Sequence, residues 1–246
     1  MKIIISPAKQ MRQDLESMPP VGLPVFLEES KELLTKLQSM SLPELQALWC
    51  CNDELAELNY KRLHNVVLEN ALTSAIESYD GIQYKYMAPS IFENGEFSYV
   101  QEHLRILSGF YGVVKPLDGV VPYRLEMQAK LSMGKCKNLY SFWQDKLYHE
   151  VMGEDHVLIN LASKEYSKAI EKYLQPDDVY ITCVFAELSK GKLVQKGVYA
   201  KMARGEMVRF MAERNIQIPE KIKDFNYLNY SFSEEHSSAK EYVFLK

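Results

Sequence analysis

The sequence predicts an α/β fold with a mixed central sheet and surrounding helices. Short apolar runs such as residues 2–6 (KIIIS) and 156–163 (HVLINLAS) end at polar residues, which is typical of buried strands. Segments with apolar residues at helical spacing lie between these runs. Such alternation along a chain favours one sheet covered by helices.

The first strand is predicted to end at Ser6, so Lys9 follows a strand end directly. Residues 25–40 have the apolar spacing of an amphipathic helix. A second helix begins at a capping box, residues 41–44 (SLPE), and the helical pattern resumes after WCCND and runs to about residue 79. Two short helices around a tight turn predict a helix-hairpin-helix; simple helix packing is the alternative.

The later elements follow from the same patterns, and residues 81–100 are predicted to be irregular. Strands are expected at residues 103–109, 156–163, 178–188 and 192–200, with two more in the aromatic tail, residues 225–246. Helices are expected at residues 139–152, 164–174 and 199–215. The SKGK sequence between two of the strands predicts a β-hairpin.

Residues 108–127 (SGFYGVVKPLDGVVPYRLEM) combine turn residues with a high apolar content. The KPLDG sequence predicts a turn, and a second proline keeps the following stretch extended. In an extended chain Tyr123 and Leu125 face one side, while Arg124 and Glu126 face the other. We interpret the segment as a stiff loop that holds Arg124 against an anion; a surface Arg–Glu pair is the alternative.

The composition is ordinary for a soluble globular protein, with 47% apolar and 25% charged residues, and we expect one domain spanning residues 1–246. The absence of a long apolar run and of a signal-peptide core predicts a cytoplasmic protein with no membrane partner. The four cysteines are expected to be reduced and mostly buried. Neither the cysteines nor the five histidines form a metal motif, so we expect no metal and no cofactor.

The net charge of −4 argues against a general affinity for nucleic acid. The distribution of charge along the chain is more informative. Residues 103–140 contain six basic and two acidic side chains, and residues 190–214 contain seven and two. Two basic segments in an acidic protein are able to focus positive potential in one cleft. Ordinary solvated faces would explain the same counts.

Two sets of residues are candidates for contacts in such a cleft. The predicted nucleic-acid or anion-binding residues are Lys9, Lys115, Arg124, Lys164, Lys201, Arg204 and Arg209. The predicted cleft-lining residues are Ser6, Tyr111, Tyr123, Glu126, Asn160, Ser163 and Glu165. The sequence contains no nucleophile elbow, phosphate loop, dinucleotide fingerprint or zinc-protease motif, so we assign no catalytic residue and leave enzymatic activity open.

Four stretches resemble the YaaA family of bacterial peroxide stress proteins: ISPAK at residues 5–9, the long central motif at residues 107–127, LINLASKEY at residues 158–166 and YAKMARGEMVRF at residues 199–210. The resemblance covers nearly the whole chain. It implies a cytosolic protein that limits damage from hydrogen peroxide, linked to lowering unincorporated iron. It also implies a single-domain α/β fold of unusual topology, and DNA binding through a helix-hairpin-helix and a positively charged cleft. No particular enzyme activity follows from the resemblance.

Three functions are therefore compared. The first is DNA binding, with Lys9, Arg124, Lys201, Arg204 and Arg209 contacting phosphates from one cleft. The second is an enzyme acting on a small phosphorylated or anionic substrate, since loops at strand ends commonly form α/β active sites. The third is direct iron sequestration, which the scattered His and Cys residues disfavour.

Overall fold

A computed structural model describes residues 1–16 and 18–246. Its strands are β1 (Lys2–Ile5), β2 (Gln10–Met11), β3 (Thr73–Ser74), β4 (Tyr79–Asp80), β5 (Leu104–Ser108), β6 (Gly112–Val114), β7 (Gly119–Val120), β8 (Val157–Leu161), β9 (Val179–Ser189), β10 (Lys192–Val194), β11 (Ser231–Phe232) and β12 (Glu241–Leu245). Its α-helices are α1 (Leu27–Gln38), α2 (Leu42–Trp49), α3 (Asp53–Asn65), α4 (Ala75–Ser78), α5 (Ile82–Met87), α6 (Asn94–His103), α7 (Leu139–Trp143), α8 (Lys146–Val151), α9 (Lys164–Glu171) and α10 (Gly197–Glu213). Three 3₁₀ helices are Pro89–Ile91, Pro219–Asp224 and Tyr227–Asn229.

The central sheet has eight strands in the order β11-β12-β9-β8-β1-β5-β6, with β10 pairing with β9. Strands β12, β9, β8, β1 and β5 run parallel, whereas β11, β10 and β6 are antiparallel to their neighbours. Helices flank this sheet, and β2-β4 and β3-β7 form two small ladders beside it. The predicted α/β class with a mixed central sheet is confirmed.

The first strand is buried on both faces. Ile3, Ile4 and Ile5 have no solvent exposure, which explains why the strand is uniformly apolar instead of alternating. Each buried isoleucine stabilises the fold by roughly 1.5–3 kcal/mol. Because β1 and β8 are parallel neighbours, the residues that follow them meet at one edge: the Ser163 backbone N–H donates to Ser6 Oγ at 2.8 Å.

Four predicted boundaries are wrong. The strand expected over residues 192–200 ends at Val194, and α10 begins at Gly197. The helix expected to reach residue 79 ends at Asn65, because the next residue is extended, and β3 and α4 follow. Residues 81–100 contain α5 and α6 and are not irregular. The single helix expected over residues 139–152 is two helices, interrupted near Gln144, whose φ is 51°.

Other local predictions are confirmed. The hairpin between β9 and β10 turns at Lys190 and Gly191, whose φ values of 51° and 73° suit the turn that matches strand twist. The capping box of α2 is present, with the Ser41 N–H donating to Glu44 Oε2 at 2.8 Å.

The prediction for the cysteines is confirmed in part. All four are free thiols, but only Cys183 is buried, so the expectation that most are buried is wrong.

Helices α2 and α3 are joined by three residues, Cys50 to Asn52. The Asn52 side chain accepts a hydrogen bond from the Leu55 N–H at 3.0 Å and caps α3, whose first turn also carries Asp53. These features occupy one backbone donor and place a negative charge where a phosphate would approach. A phosphate-binding helix-hairpin-helix remains a prediction for this pair.

In the described residues, no helix combines the length and the apolar character needed to span a bilayer.

Candidate functional site

A cleft of about 510 Å³ opens where β1 and β8 end. Parallel α/β sheets commonly bind ligands beyond the carboxyl ends of their strands. The cationic side chains that line the cleft are Lys9, Lys85, Arg124, Lys201 and Arg204. The acidic ones are Asp80, Glu126 and Glu165. The cleft therefore has a positive balance, although three carboxylates share it.

The loop after β1 forms one wall of the cleft and lies close to α5. The β2–β4 ladder pairs Gln10 with Asp80 and brings the loop to the start of this helix. A Cβ at Gly81 would lie 2.9 Å from Ala8 Cβ, so the approach requires a glycine. The Tyr84 hydroxyl donates to the Ser6 carbonyl oxygen at 3.0 Å and ties the helix to the strand end.

The segment that carries Arg124 is held from behind. A Cβ on Gly109 would lie 2.5 Å from the Leu125 carbonyl oxygen, so the two backbones are in close contact. The Tyr123 hydroxyl hydrogen-bonds to the Tyr79 hydroxyl at 2.8 Å and to Ser108 Oγ at 2.6 Å. Burial raises the pKa of Tyr123 to about 12, so its hydroxyl stays protonated. These contacts immobilise the backbone on either side of Arg124.

Arg124 is poorly satisfied by the protein. Its side chain is 10% exposed, and its Nη2 lies 3.6 Å from Glu126 Oε1. Nη2 also donates to the Trp49 carbonyl oxygen at 3.4 Å, while the buried Nε has no hydrogen-bond partner among residues 1–16 and 18–246. Glu126 is shared with Lys9, whose Nζ lies 2.9 Å from the same oxygen. The guanidinium therefore keeps unused donors beside the cleft.

Arg204 on α10 is more isolated. Its Nε is buried without a hydrogen-bond partner, and within the described residues it forms no ion pair with a carboxylate. Burial lowers its pKa, as expected for a charge that is removed from water and has no acid beside it. A Cβ on the next residue, Gly205, would lie 2.1 Å from the Gln83 carbonyl oxygen, so α10 and α5 are in direct backbone contact. Lys201, one turn earlier on the same face, is exposed.

Glu165 lies in the first turn of α9. Its Oε1 accepts a hydrogen bond from the Gln128 backbone N–H at 3.2 Å, and it forms no ion pair with the described cations. Burial, with the charge of Glu126 adding to it, raises the pKa of Glu165, while Lys9 acts in the opposite direction. Ser163, at the N-cap position of this helix, and Ser6 also line the cleft, with their hydroxyl oxygens 3.2 Å apart.

Two of the residues predicted to line the cleft lie elsewhere. Tyr111 is fully buried in the core, and its hydroxyl accepts a hydrogen bond from the Val121 N–H at 3.2 Å. Asn160 is inside β8, where its side chain donates to Thr182 Oγ1 at 3.2 Å and accepts from the Ala162 N–H at 2.9 Å. Both polar groups serve the fold, so neither is available to a ligand.

Three of the predicted anion-binding residues also lie outside the cleft. Lys115 follows β6, which is antiparallel to β5, so it emerges at the opposite sheet edge, near Lys2. Lys164 forms an ion pair with Glu171. Arg209 is five residues beyond Arg204, roughly 140° around the helix, where it pairs with two glutamates of its own helix at 2.9 and 3.3 Å. The other nine candidates line the cleft: Ser6, Lys9, Tyr123, Arg124, Glu126, Ser163, Glu165, Lys201 and Arg204.

The wall formed by α5 and the residues just before it was not predicted from the sequence. Asp80, Gln83, Tyr84 and Lys85 line the cleft, and the buried Gln83 Nε2 has no hydrogen-bond partner in the described part of the chain. The Asp-Gly pair that starts this stretch was a usable signal, because it marks a turn at a strand end.

Residues 1–236 match a family model described as peroxide stress protein YaaA. The chain is 58% identical over 244 residues to a UPF0246 protein of Agathobacter rectalis, covering 99% of this chain and 98% of the relative. It is 56% identical over 246 residues to a UPF0246 protein of Desulfitobacterium hafniense, covering 100% of this chain and 98% of the relative. A UPF0246 protein of Lachnoclostridium phytofermentans is 51% identical over 246 residues, with coverage of 100% and 96%.

Proposed function

This chain belongs to the YaaA family of peroxide stress proteins, and on that premise we propose that it binds DNA through the arginines of its cleft during hydrogen peroxide stress. We propose that it acts in the cytoplasm and limits the damage linked to free iron. The observation that carries this proposal is the pair Arg124 and Arg204, which line one cleft with buried Nε groups that lack partners among the described residues.

A buried guanidinium Nε without a hydrogen-bond partner is costly, because the removal of this donor from water is not compensated. A phosphate supplies both the charge and the oxygen acceptors, and its geometry matches the donors of arginine. Lys201, on the same helix face as Arg204, is exposed and suited to a neighbouring phosphate. These features favour an anion with several oxygens over a single carboxylate.

The dimensions of the cleft favour one nucleotide at a time. A volume of about 510 Å³ lies in the range of small-molecule sites and is too small to enclose a duplex. We therefore propose that a nucleotide displaced from the helix, as at damaged or unpaired positions, enters the cleft. The adjoining phosphates would then contact Lys9 and Lys201 at its rim.

A second candidate function is an enzyme that acts on a small phosphorylated or anionic substrate. The same volume favours it, as does the placement of the Ser6 and Ser163 hydroxyls in the cleft with Glu165. Such a substrate would use the arginines for its phosphate and leave the hydroxyls and carboxylate beside the reacting group.

Fluorescence anisotropy with a short labelled DNA tests the first proposal. We expect binding to the native protein that weakens steeply with salt, because phosphate contacts release counterions. Arg204→Met should abolish or strongly reduce binding. Arg214→Met removes the same charge from an exposed position that directly follows α10 and lies outside the cleft, and it should change affinity little.

If neither duplex DNA nor DNA with an unpaired nucleotide binds at low salt, the proposal fails. Equal losses from both arginine variants would also contradict it, because they would indicate a diffuse charge effect. Binding of phosphorylated small molecules without any binding of DNA would favour the enzyme.

A further inference from the structure

The charges in the cleft are segregated. Glu126 lies near Lys9 and Arg124, and its charge acts on Glu165. Arg204 lines the same cleft but forms no ion pair with a carboxylate among the described residues. The cleft thus has a region that contains Glu126 and Glu165 and, apart from these carboxylates, the unpaired guanidinium of Arg204.

Both regions have unused hydrogen-bonding capacity. At Arg204 a donor is unused, because its buried Nε has no hydrogen-bond partner in the described part of the chain. At Glu165 the acceptors are unused: the Gln128 N–H occupies one position on Oε1, and Oε2 receives no hydrogen bond from residues 1–16 and 18–246. The carboxyl is partly buried, and this burial raises its pKa. A matching ligand carries an anion at one end and N–H donors at the other.

We propose that the cleft binds a guanine nucleotide, with Arg204 contacting the phosphate and Glu165 accepting hydrogen bonds from the N–H groups on the Watson–Crick edge of the base. The inference rests on the proposed function and specifies its ligand. Two sources share this chemistry: a free guanine nucleotide and a displaced guanine of a DNA strand.

The choice of guanine follows from the donor pattern that a carboxylate requires. Guanine presents two adjacent N–H donors on that edge, which suit the two oxygens of Glu165. Thymine presents one N–H between two carbonyl oxygens, and these oxygens would face the carboxylate unfavourably. Adenine and cytosine present an amino group beside a ring nitrogen acceptor. A bidentate contact of this kind discriminates by about 5- to 150-fold, which corresponds to about 1–3 kcal/mol.

The walls of the cleft suit a base. Tyr84, Tyr123 and Tyr166 line it, and bases are stabilised by aromatic contacts. The first two are held by hydrogen bonds, to the Ser6 carbonyl and to Ser108, so binding costs them little conformational freedom.

Calorimetry with the four deoxynucleoside monophosphates forms the first arm of the test, and anisotropy with duplexes carrying one unpaired guanine or one unpaired thymine forms the second. We expect guanine to bind about tenfold more tightly than thymine in at least one arm, and that arm identifies the source of the ligand. Glu165→Gln keeps an oxygen for the Gln128 N–H but replaces the free oxygen with an amide donor. It should therefore remove or reverse the preference for guanine.

Glu220→Gln is the control, because this glutamate is exposed and lies outside the cleft; its base preference should match that of the native protein. Glu165→Asp keeps a carboxylate and should retain part of the preference, which distinguishes recognition from a folding defect. A protein that binds DNA or nucleotides without preferring guanine overturns this inference and leaves the proposed function intact. A preference that survives Glu165→Gln also overturns it. If the protein binds neither nucleotides nor DNA, both this inference and the proposed function are wrong.

Discussion

Gly205→Ala tests the contact that positions Arg204. The added Cβ would lie 2.1 Å from the Gln83 carbonyl oxygen and 2.8 Å from the Met87 backbone nitrogen. An ordinary carbon–oxygen contact is about 3.3 Å, so α10 and α5 must separate by about 1 Å. Overpacking of this kind costs about 3 kcal/mol where the obstructing atoms are backbone, and the helix propensity of alanine offsets about 1 kcal/mol.

The expected net loss of stability is therefore about 2 kcal/mol, which for a chain of this size lowers Tm by about 4–8 °C. Thermal unfolding followed by circular dichroism measures the loss, and ligand binding should weaken because Arg204 moves with the backbone. Gly95→Ala, in α6, is the matched control, since a Cβ there meets no atom within 4 Å. Its Tm should be unchanged or higher. A Gly205→Ala protein as stable as the native one would refute the close contact.

Three further predictions concern buried polar groups. Arg204→Met should raise Tm by removing a partly buried charge that has no ion pair among the described residues, while abolishing anion binding; a lower Tm in thermal unfolding would show that this charge does not destabilise the fold. Tyr123→Phe should cost about 1–3 kcal/mol in urea unfolding, because the Tyr79 and Ser108 hydroxyls each lose a partner, and an unchanged midpoint would argue against this network. Burial raises the pKa of Asp118 from 3.8 to about 6. Its contribution to stability is therefore complete below pH 3.8 and is lost as the pH rises through about 6. Asp118→Asn should remove this decline from the pH dependence of urea unfolding, and a decline of the same size in both proteins would refute the assignment.

Local patterns predicted much of the fold because their physical causes are local. Three consecutive isoleucines specify a buried strand wherever it lies in the sheet, and SLPE supplies both partners of its own capping box. Lys190 and Gly191 likewise form a two-residue hairpin turn without help from distant residues. Helix α5 was missed because it has only six residues and is stabilised by packing against α10, which lies more than a hundred positions along the chain.

The candidate site was predictable in part for a related reason. Ser6 and Ser163 follow parallel strands, so their meeting at one edge is implied by the strand predictions once those strands are neighbours. Lys115 was predicted to lie in the cleft, but it follows β6, which runs antiparallel to β5 and carries it to the opposite edge of the sheet. The residues around Lys115 contain no signal for the direction of that strand. Arg209 belongs to a basic segment but is paired within its helix.

By itself, the sequence determined the fold class, the strand ends that carry polar residues and the family resemblance. The first two depend on patterns of neighbouring residues, and the third depends on the residues of four short motifs. Only the tertiary structure decided which charges form ion pairs and which donors and acceptors lack hydrogen-bond partners within residues 1–16 and 18–246. Arg124, Arg204 and Glu165 come from three distant segments, and their surroundings depend on strand order, helix rotation and close backbone contacts. Charge counts along a chain contain none of these distances, whereas desolvation and ion pairing depend on all of them.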